Sequence, residues 1–92
     1  MVTAIILVRV SRRGVAATAE ALLEIDGIGE VYSVAGEWDL VAIARVKRHE
    51  DLDGLVTGRL AAILQIDATR TLVAFRAYSR KDVQAMWDIG LD

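Results

Sequence analysis

Two short stretches of the chain combine residue types that can bind a small charged molecule. The first is Gly36-Glu37-Trp38-Asp39, which interrupts two hydrophobic runs typical of β-strands. A tight turn explains Gly36, because glycine adopts positive φ without strain. Asp39 needs a donor or a cation, since a carboxylate beside apolar strand residues is costly to leave unpaired. A ligand ammonium group and the backbone amides of the turn both meet this requirement.

The second stretch is Thr69-Arg70-Thr71, at the start of a strand predicted over residues 69–77. Strand alternation places the two threonine hydroxyls on one face, where they can donate to a ligand together. Threonine is also common in strands, so this spacing alone favours a structural role.

Other reactive groups are sparse. His49 is the only histidine, and the chain has no cysteine, so neither a metal site nor a disulfide is expected. The acid pairs Glu20/Glu24 and Glu50/Asp51 fall on polar helix faces and indicate surface charge instead of a general acid and base. We therefore expect no catalytic residues, no metal and no cofactor.

Composition restricts the class of protein. A length of 92 residues predicts a single domain over 1–92, and a net charge of −2 argues against direct binding to nucleic acid. The apolar N-terminal run has no basic residues before it and is too short to span a bilayer, so we predict no membrane association and a cytoplasmic location. Hydrophobic residues make up 54% of the chain, more than a small monomer readily buries.

The hydrophobic periodicity predicts the order β-α-β-β-α-β, followed by a short C-terminal helix. The predicted strands are Val2–Val10, 28–35, 38–46 and 69–77, with helices from Val15 and along a stripe that includes Leu52, Leu60 and Leu64. This order is typical of the α+β ferredoxin-like fold, a four-stranded antiparallel sheet with two helices on one face. The core is expected over residues 2–78 and a tail over 79–92, where Val83, Met86 and Trp87 form the helix.

Both faces of this sheet are predicted to be apolar. One face is expected to carry Val2, Ala4, Ile6, Val8 and Val10 of the first strand and Trp38, Leu40, Ala42 and Ala44 of the third; the other carries Ile5, Leu7, Val41, Ile43 and Leu72. Helices cover only one face, so the second face needs another cover. We predict a homodimer in which two sheets pack face to face.

The residues from Leu23 to Leu40, which include Gly27-Ile28-Gly29 and end in Gly36-x-Trp38-Asp39-Leu40, are arranged in a recognisable way. Together with Thr69-x-Thr71-Leu72-Val73 and the order of elements, they resemble the effector-binding (RAM) domain of the Lrp/AsnC family of feast/famine transcription regulators.

The resemblance implies sheet-to-sheet dimers, which in the family often form a ring of four dimers, and an effector amino acid bound at the contact between dimers. Carried over to this chain, it implies effector-binding residues Gly36, Trp38, Asp39, Thr69 and Thr71. Asp39 would pair with the α-ammonium group, while turn amides and a threonine hydroxyl receive the carboxylate.

Family regulators carry a helix-turn-helix domain before this one, whereas this chain begins at the first strand. We therefore expect a stand-alone ligand-sensing and oligomerisation domain that binds a small effector, does not bind DNA itself and can associate with full-length family regulators.

Two alternatives stay open at this point. One is a small dimeric ferredoxin-like enzyme of the monooxygenase or isomerase type, for which Tyr32, Trp38 and Tyr78 are the candidate residues. The other is a purely structural oligomerisation domain. A bound aromatic substrate or oxygen uptake would favour the enzyme, and a stable ring that binds no ligand would favour the structural domain.

Overall fold

The computed structural model describes residues 1–11 and 14–80. The elements in chain order are β1 (Val2–Val10), α1 (Val15–Leu23), β2 (Ile28–Ser33), β3 (Leu40–Val46), α2 (His49–Gly54), a π-helical segment (Leu55–Leu60) that continues α2, and β4 (Ile66–Ala74). The C-terminal helix predicted around Val83, Met86 and Trp87 lies outside the described residues.

The strands form one antiparallel sheet in the order β2-β3-β1-β4. The central strand β1 therefore pairs with β3 on one side and with β4 on the other. Val8, for example, lies opposite Leu40 of β3 and opposite Thr69 of β4. The predicted α+β ferredoxin-like fold is confirmed.

One face of the sheet is covered by the helices. The α1 helix packs on β2 and β3, and α2 packs on β3 and β1. Alternate residues of β1 point into this layer, so that Ala4, Ile6 and Val8 are completely buried. The rest of the core consists of Val10, Leu22, Ile25, Ile28, Leu40, Ala42, Ala44, Leu52, Leu55 and Leu60. We call this side the covered face.

The opposite side, which we call the open face, carries the intervening residues of the same strands. Ile5 of β1 lies opposite Ile43 of β3 and Leu72 of β4, and Leu7 lies opposite Val41. Leu72 is 46% exposed, and the other four side chains are partly exposed. Both described helices lie on the covered face, so the prediction of two apolar faces is confirmed.

Several boundaries differ from those predicted. The β3 strand begins at Leu40, not at Trp38, and β4 covers Ile66–Ala74, not 69–77. Leu64 was expected on the buried stripe of the second helix, yet it is 92% exposed. The helical segment ends at Leu60, so Leu64 lies in the turn before β4, where helical periodicity no longer applies.

Candidate functional site

The turn between β2 and β3 is built around Gly36. Its φ is +120°, a conformation that side-chain-bearing residues rarely adopt. A Cβ atom at this position would meet nothing within 4 Å, so backbone conformation, not lack of space, accounts for the glycine. The turn presents Glu37, Trp38 and Asp39 at the end of the sheet.

Asp39 joins this turn to the central strand. One carboxylate oxygen, Oδ2, accepts a hydrogen bond of 2.8 Å from the backbone N–H of Val10. The backbone N–H of Asp39 donates to the carbonyl of Val8 at 2.9 Å, and its carbonyl accepts from the N–H of Val34 at 3.0 Å. The β3 ladder ends at the pair Val8–Leu40, so the carboxylate satisfies the next β1 amide that faces β3.

The donor to Asp39 is therefore an amide of β1, not an amide of the turn. The second carboxylate oxygen, Oδ1, has no hydrogen-bond partner among residues 1–11 and 14–80. Asp39 is partly buried, and this oxygen remains available to a ligand. The Asp39 side chain can therefore hold the Val10 amide with Oδ2 and still offer Oδ1 to a ligand.

Trp38 lies on the open face. The guanidinium carbon Cζ of Arg9 is 4.8 Å from the centroid of the indole ring, and that of Arg70 is 5.9 Å away. Both distances are within the range of a cation–π interaction. The expectation that Trp38 shares a face with Leu40 was wrong, because β3 begins at Leu40 and strand alternation does not extend back to Trp38.

Arg9 also contacts the turn directly. Its Nε donates to the carbonyl of Glu37 at 3.4 Å, and its Nη2 lies 3.8 Å from Glu37 Oε1. The side chains are 43% and 80% exposed, so the ion pair is weak. Sequence reasoning missed Arg9 and Arg70; the available signal was a positive charge at a strand position that alternates with apolar open-face residues, Leu7 for Arg9 and Leu72 for Arg70.

Thr69 and Thr71 lie on the covered face of β4. They pair with the buried residues Val8 and Ile6, and directly opposite residues point to the same side of a sheet. Thr69 is exposed and Thr71 is partly buried, because β4 is an edge strand. The predicted placement of both hydroxyls on one face is confirmed by this register.

Thr69 borders a cleft of about 180 Å³ between β4 and the end of the second helical segment. The lining residues are Val56, Leu60, Ala61, Ile63, Ile66, Asp67, Ala68 and Thr69. Asp67 accepts a hydrogen bond of 2.8 Å from the hydroxyl of Ser11, which ties the cleft to the end of β1. Six of these eight residues are apolar, and Asp67 and Thr69 are polar.

The five candidate residues thus lie at one end of the sheet but on different sides of it. Val8 is flanked by Leu40, next to Asp39, and by Thr69, and neighbouring strands are about 4.8 Å apart. The side chain of Trp38, however, is on the open face, whereas those of Thr69 and Thr71 are on the covered face. One copy of the chain does not bring all five around a single cavity.

A second polar cluster lies elsewhere on the open face. The Tyr32 hydroxyl donates to Glu30 Oε2, and Arg45 Nη1 lies 3.4 Å from Glu30 Oε1. The hydrogen bond from Tyr32, assisted by Arg45, lowers the pKa of Glu30. The same hydrogen bond raises the pKa of Tyr32. The cluster is exposed and is a local ion-pair network.

Metal-binding and membrane-spanning features are absent from residues 1–11 and 14–80. This part of the chain contains no group of three or more histidine, cysteine, aspartate or glutamate side chains able to hold a metal ion. The same residues include no helix long and apolar enough to cross a membrane.

Comparison with known proteins gives a consistent result. The family model described as the Lrp/AsnC ligand binding domain matches residues 3–84. An uncharacterized HTH-type transcriptional regulator of Pyrococcus horikoshii, PH1916, is 39% identical over 57 residues, which are 62% of this chain and 38% of that protein. The matched region thus covers well under half of this longer relative.

Two solved structures share the fold. The crystal structure of TTHA0845 from Thermus thermophilus has 45% sequence identity and a TM-score of 0.82, and the alignment covers 87% of this chain and all of that one. The structure of Escherichia coli AsnC has 18% identity and a TM-score of 0.80, over 85% of this chain and 53% of that one. At that identity, the second likeness shows the fold alone. The family model matches most of the chain, and this match establishes that the chain belongs to the Lrp/AsnC ligand-binding domain family.

Proposed function

We propose that this domain binds a small effector, an amino acid, at a contact between copies of the chain, and that binding changes its assembly or its choice of partner. The family match and the regulators among its relatives support a regulatory ligand-binding role. Linkage requires only that the effector bind one assembly more tightly than another.

The division of the candidate residues between the two faces carries the proposal. Trp38 lies on the open face and Thr69 on the covered face, so a ligand that contacts both cannot do so within one copy. A neighbouring copy can supply the threonines while the first supplies the turn. The site we propose is therefore composite, with Gly36, Trp38 and Asp39 from one chain and Thr69 and Thr71 from another.

The chemistry of these groups suits a zwitterion. Asp39 Oδ1 is available to an α-ammonium group while Oδ2 stays bonded to the Val10 amide. Turn amides and a threonine hydroxyl are donors for the α-carboxylate. The cleft beside Thr69, with a volume of about 180 Å³, is large enough to take an effector side chain of modest size.

The assembly that we propose begins with a homodimer through the open face. Ile5, Leu7 and Ile43 lie at its centre, and burying a side chain of this kind contributes roughly 1.5–3 kcal/mol. A second copy covers this apolar surface without help from another protein. Higher assembly, such as a ring of dimers, would create the further contacts at which the turn of one chain meets the β4 strand of another.

The remaining parts of the proposal follow from charge and relatedness. A net charge of −2 supports the absence of direct DNA binding, and the regulators among the relatives support a role that is not enzymatic. Association with full-length family regulators and a cytoplasmic location stay predictions.

Titration calorimetry of the wild-type chain against the individual proteinogenic amino acids tests the proposal. Asp39→Asn is the informative variant, because its amide oxygen can still accept from Val10 while the negative charge is lost. We expect one amino acid or a small group to bind, and Asp39→Asn to weaken binding by about 1.5–3 kcal/mol.

Asp53→Asn is the matched control, since it removes the same charge from an exposed helix position. It should bind the effector as the wild type does. If no amino acid binds the wild type, or if Asp39→Asn binds as tightly as Asp53→Asn, the proposal is wrong.

A further inference from the structure

Two arginines share one aromatic side chain at the end of the open face. The Cζ atoms of Arg9 and Arg70 lie 4.8 Å and 5.9 Å from the centroid of Trp38. Arg70 is opposite Leu7, and Arg9 is two residues farther along β1, so the two are diagonal neighbours on the same face. The indole holds two like charges close together.

The two guanidinium groups differ in what else they contact. Arg9 is engaged by the carbonyl and the carboxylate of Glu37. The Arg70 side chain has no ion pair and no hydrogen bond to any of residues 1–11 and 14–80, and its guanidinium group lies over the Trp38 ring. Five N–H donors of Arg70 are therefore available, in a planar arrangement that suits a carboxylate.

The local charges favour an anion at this position. Arg9 lies within 4 Å of the Glu37 carboxylate, whereas no carboxylate of the described residues lies within 4 Å of the Arg70 guanidinium nitrogens. The face is apolar beyond it, and covering that face would remove water from Arg70. Arg70 is exposed in a single chain, so this effect requires the proposed neighbouring copy. A guanidinium group that loses water without a counter-ion is costly, and a bound carboxylate supplies that counter-ion.

We propose that Arg70, held on Trp38 beside Arg9, is a carboxylate-binding subsite for the effector. This inference rests on the proposed function for the identity of the ligand, since Trp38 belongs to the turn of the proposed site. The carboxylate can be the α-carboxylate of the effector or a carboxylate in its side chain. Arg9 is a positioning residue, because it orients Trp38 and the turn.

Calorimetry with matched pairs of probes distinguishes these sources. L-Leucine and L-leucinamide differ in the α-carboxylate, and L-glutamate and L-glutamine differ in the side-chain carboxylate. Succinate is a carboxylate without an ammonium group. Each probe is titrated into the wild type, Arg70→Gln, Arg70→Lys and the control Arg59→Gln, which removes the same charge from another exposed position.

We expect at least one carboxylate probe to bind the wild type and its neutral counterpart to bind less tightly. Arg70→Gln should weaken binding of that probe by about tenfold or more, and Arg59→Gln by less than about twofold. Arg70→Lys should bind with intermediate affinity, because a lysine keeps the charge but loses the planar pair of donors.

Failure of this subsite can be distinguished from failure of the proposed function. If an amino acid binds but Arg70→Gln binds it as the wild type does, the subsite is wrong and the proposed function stands. If succinate binds through Arg70 and no amino acid binds, the subsite stands and the proposed function is wrong. If no probe binds, or if neutral probes bind as well as their carboxylate counterparts, the subsite is wrong.

Discussion

The covered and open faces of the sheet are built from alternate residues of the same strands, but the described helices pack on only one of them. Ile6 points into the helical layer and is fully buried, whereas its neighbour Ile5 points to the open face and is only partly buried. Both are β-branched aliphatic residues of the central strand. Their sequence context is nearly identical, so only the position of the helices distinguishes them.

We expect the covered face to determine the stability of a single chain and the open face to determine the association of chains. The covered face holds the chain in its fold, and substitutions there should act on a single chain. The open face carries apolar residues at its centre and charged clusters, Arg9 with Trp38 and Glu30 with Arg45, toward its margins. Substitutions there should act on the association of chains and on ligand binding.

Ile6→Ala and Ile5→Ala give the largest expected contrast. Ile6→Ala leaves a cavity in a core that cannot close completely, so we expect a loss of about 2–5 kcal/mol in the free energy of unfolding. Ile5→Ala should cost less at low protein concentration and more as the concentration rises. Urea unfolding at several concentrations measures both. Equal costs at every concentration would mean that the two faces do not differ as described.

Ile43→Lys introduces a charge at the centre of the open face. The proposed dimer then loses roughly 1.5–3 kcal/mol for each copy of this side chain, and we expect monomers in sedimentation velocity. Leu64→Lys is the control, because Leu64 is 92% exposed in a turn away from the sheet. A dimer that survives Ile43→Lys unchanged would contradict an open-face interface.

Asp39→Ala and Asp39→Asn test the hydrogen bond that joins the turn before β3 to the Val10 amide of β1. Alanine leaves the Val10 amide without its acceptor, and we expect a loss of about 1–3 kcal/mol in stability. Asparagine should retain most of the stability, because it still offers an oxygen to that amide. Thermal unfolding compares them. If alanine and asparagine are equally stable, the hydrogen bond to Val10 contributes nothing.

The features that these substitutions test differ in how far the sequence alone could predict them. The bounds of β1 followed from a run of β-branched and aliphatic residues that ends at a polar break, and the apolar character of both faces followed from alternation within the strands. Both are local properties. The partner of Asp39 did not follow from a local property, because Val10 is 29 residues away and meets it only once β1 and β3 are paired.

The contact between Arg70 and Trp38 likewise could not be predicted from the sequence. Arg70 is in β4 and Trp38 is in the turn before β3, so the two side chains meet only after both strands have paired with β1. The side on which Trp38 lies also depends on where β3 begins, and strand boundaries are the least certain part of any pattern. By contrast, Thr69 and Thr71 were correctly placed on one face, because that placement needs only alternation.

Thr18→Val is a substitution on the covered side of the sheet that is expected to raise the stability of the chain instead of lowering it. The Thr18 hydroxyl is buried in α1, with no hydrogen-bond partner in the described part of the chain. Valine keeps the shape and removes the unpaired polar group, so we expect a gain of about 1 kcal/mol in the free energy of unfolding. Urea unfolding measures the change. A loss of stability would show that the hydroxyl is bonded after all.

The Glu30–Tyr32 pair gives the smallest expected effect. The pKa of Glu30 is lowered in the folded chain by the Tyr32 hydrogen bond. Its contribution to stability is therefore present above the unfolded value of 4.5 and is lost as the pH falls through the lower folded value. Tyr32→Phe should reduce this loss of stability at acidic pH, as measured by thermal unfolding across that range. An unchanged pH profile would show that the hydrogen bond does not matter.

A mixed-oligomer experiment tests the composite site most directly. Chains carrying Asp39→Asn and chains carrying Thr69→Val with Thr71→Val are produced separately and by co-expression, and the effector found by calorimetry is titrated into each. If one chain supplies the turn and another the threonines, each separate variant binds the effector much more weakly than the wild type, whereas the co-expressed oligomers recover wild-type affinity at roughly a quarter of the sites by random association of subunits. If the co-expressed oligomers bind no more effector than the separate variants, the site is not shared between chains.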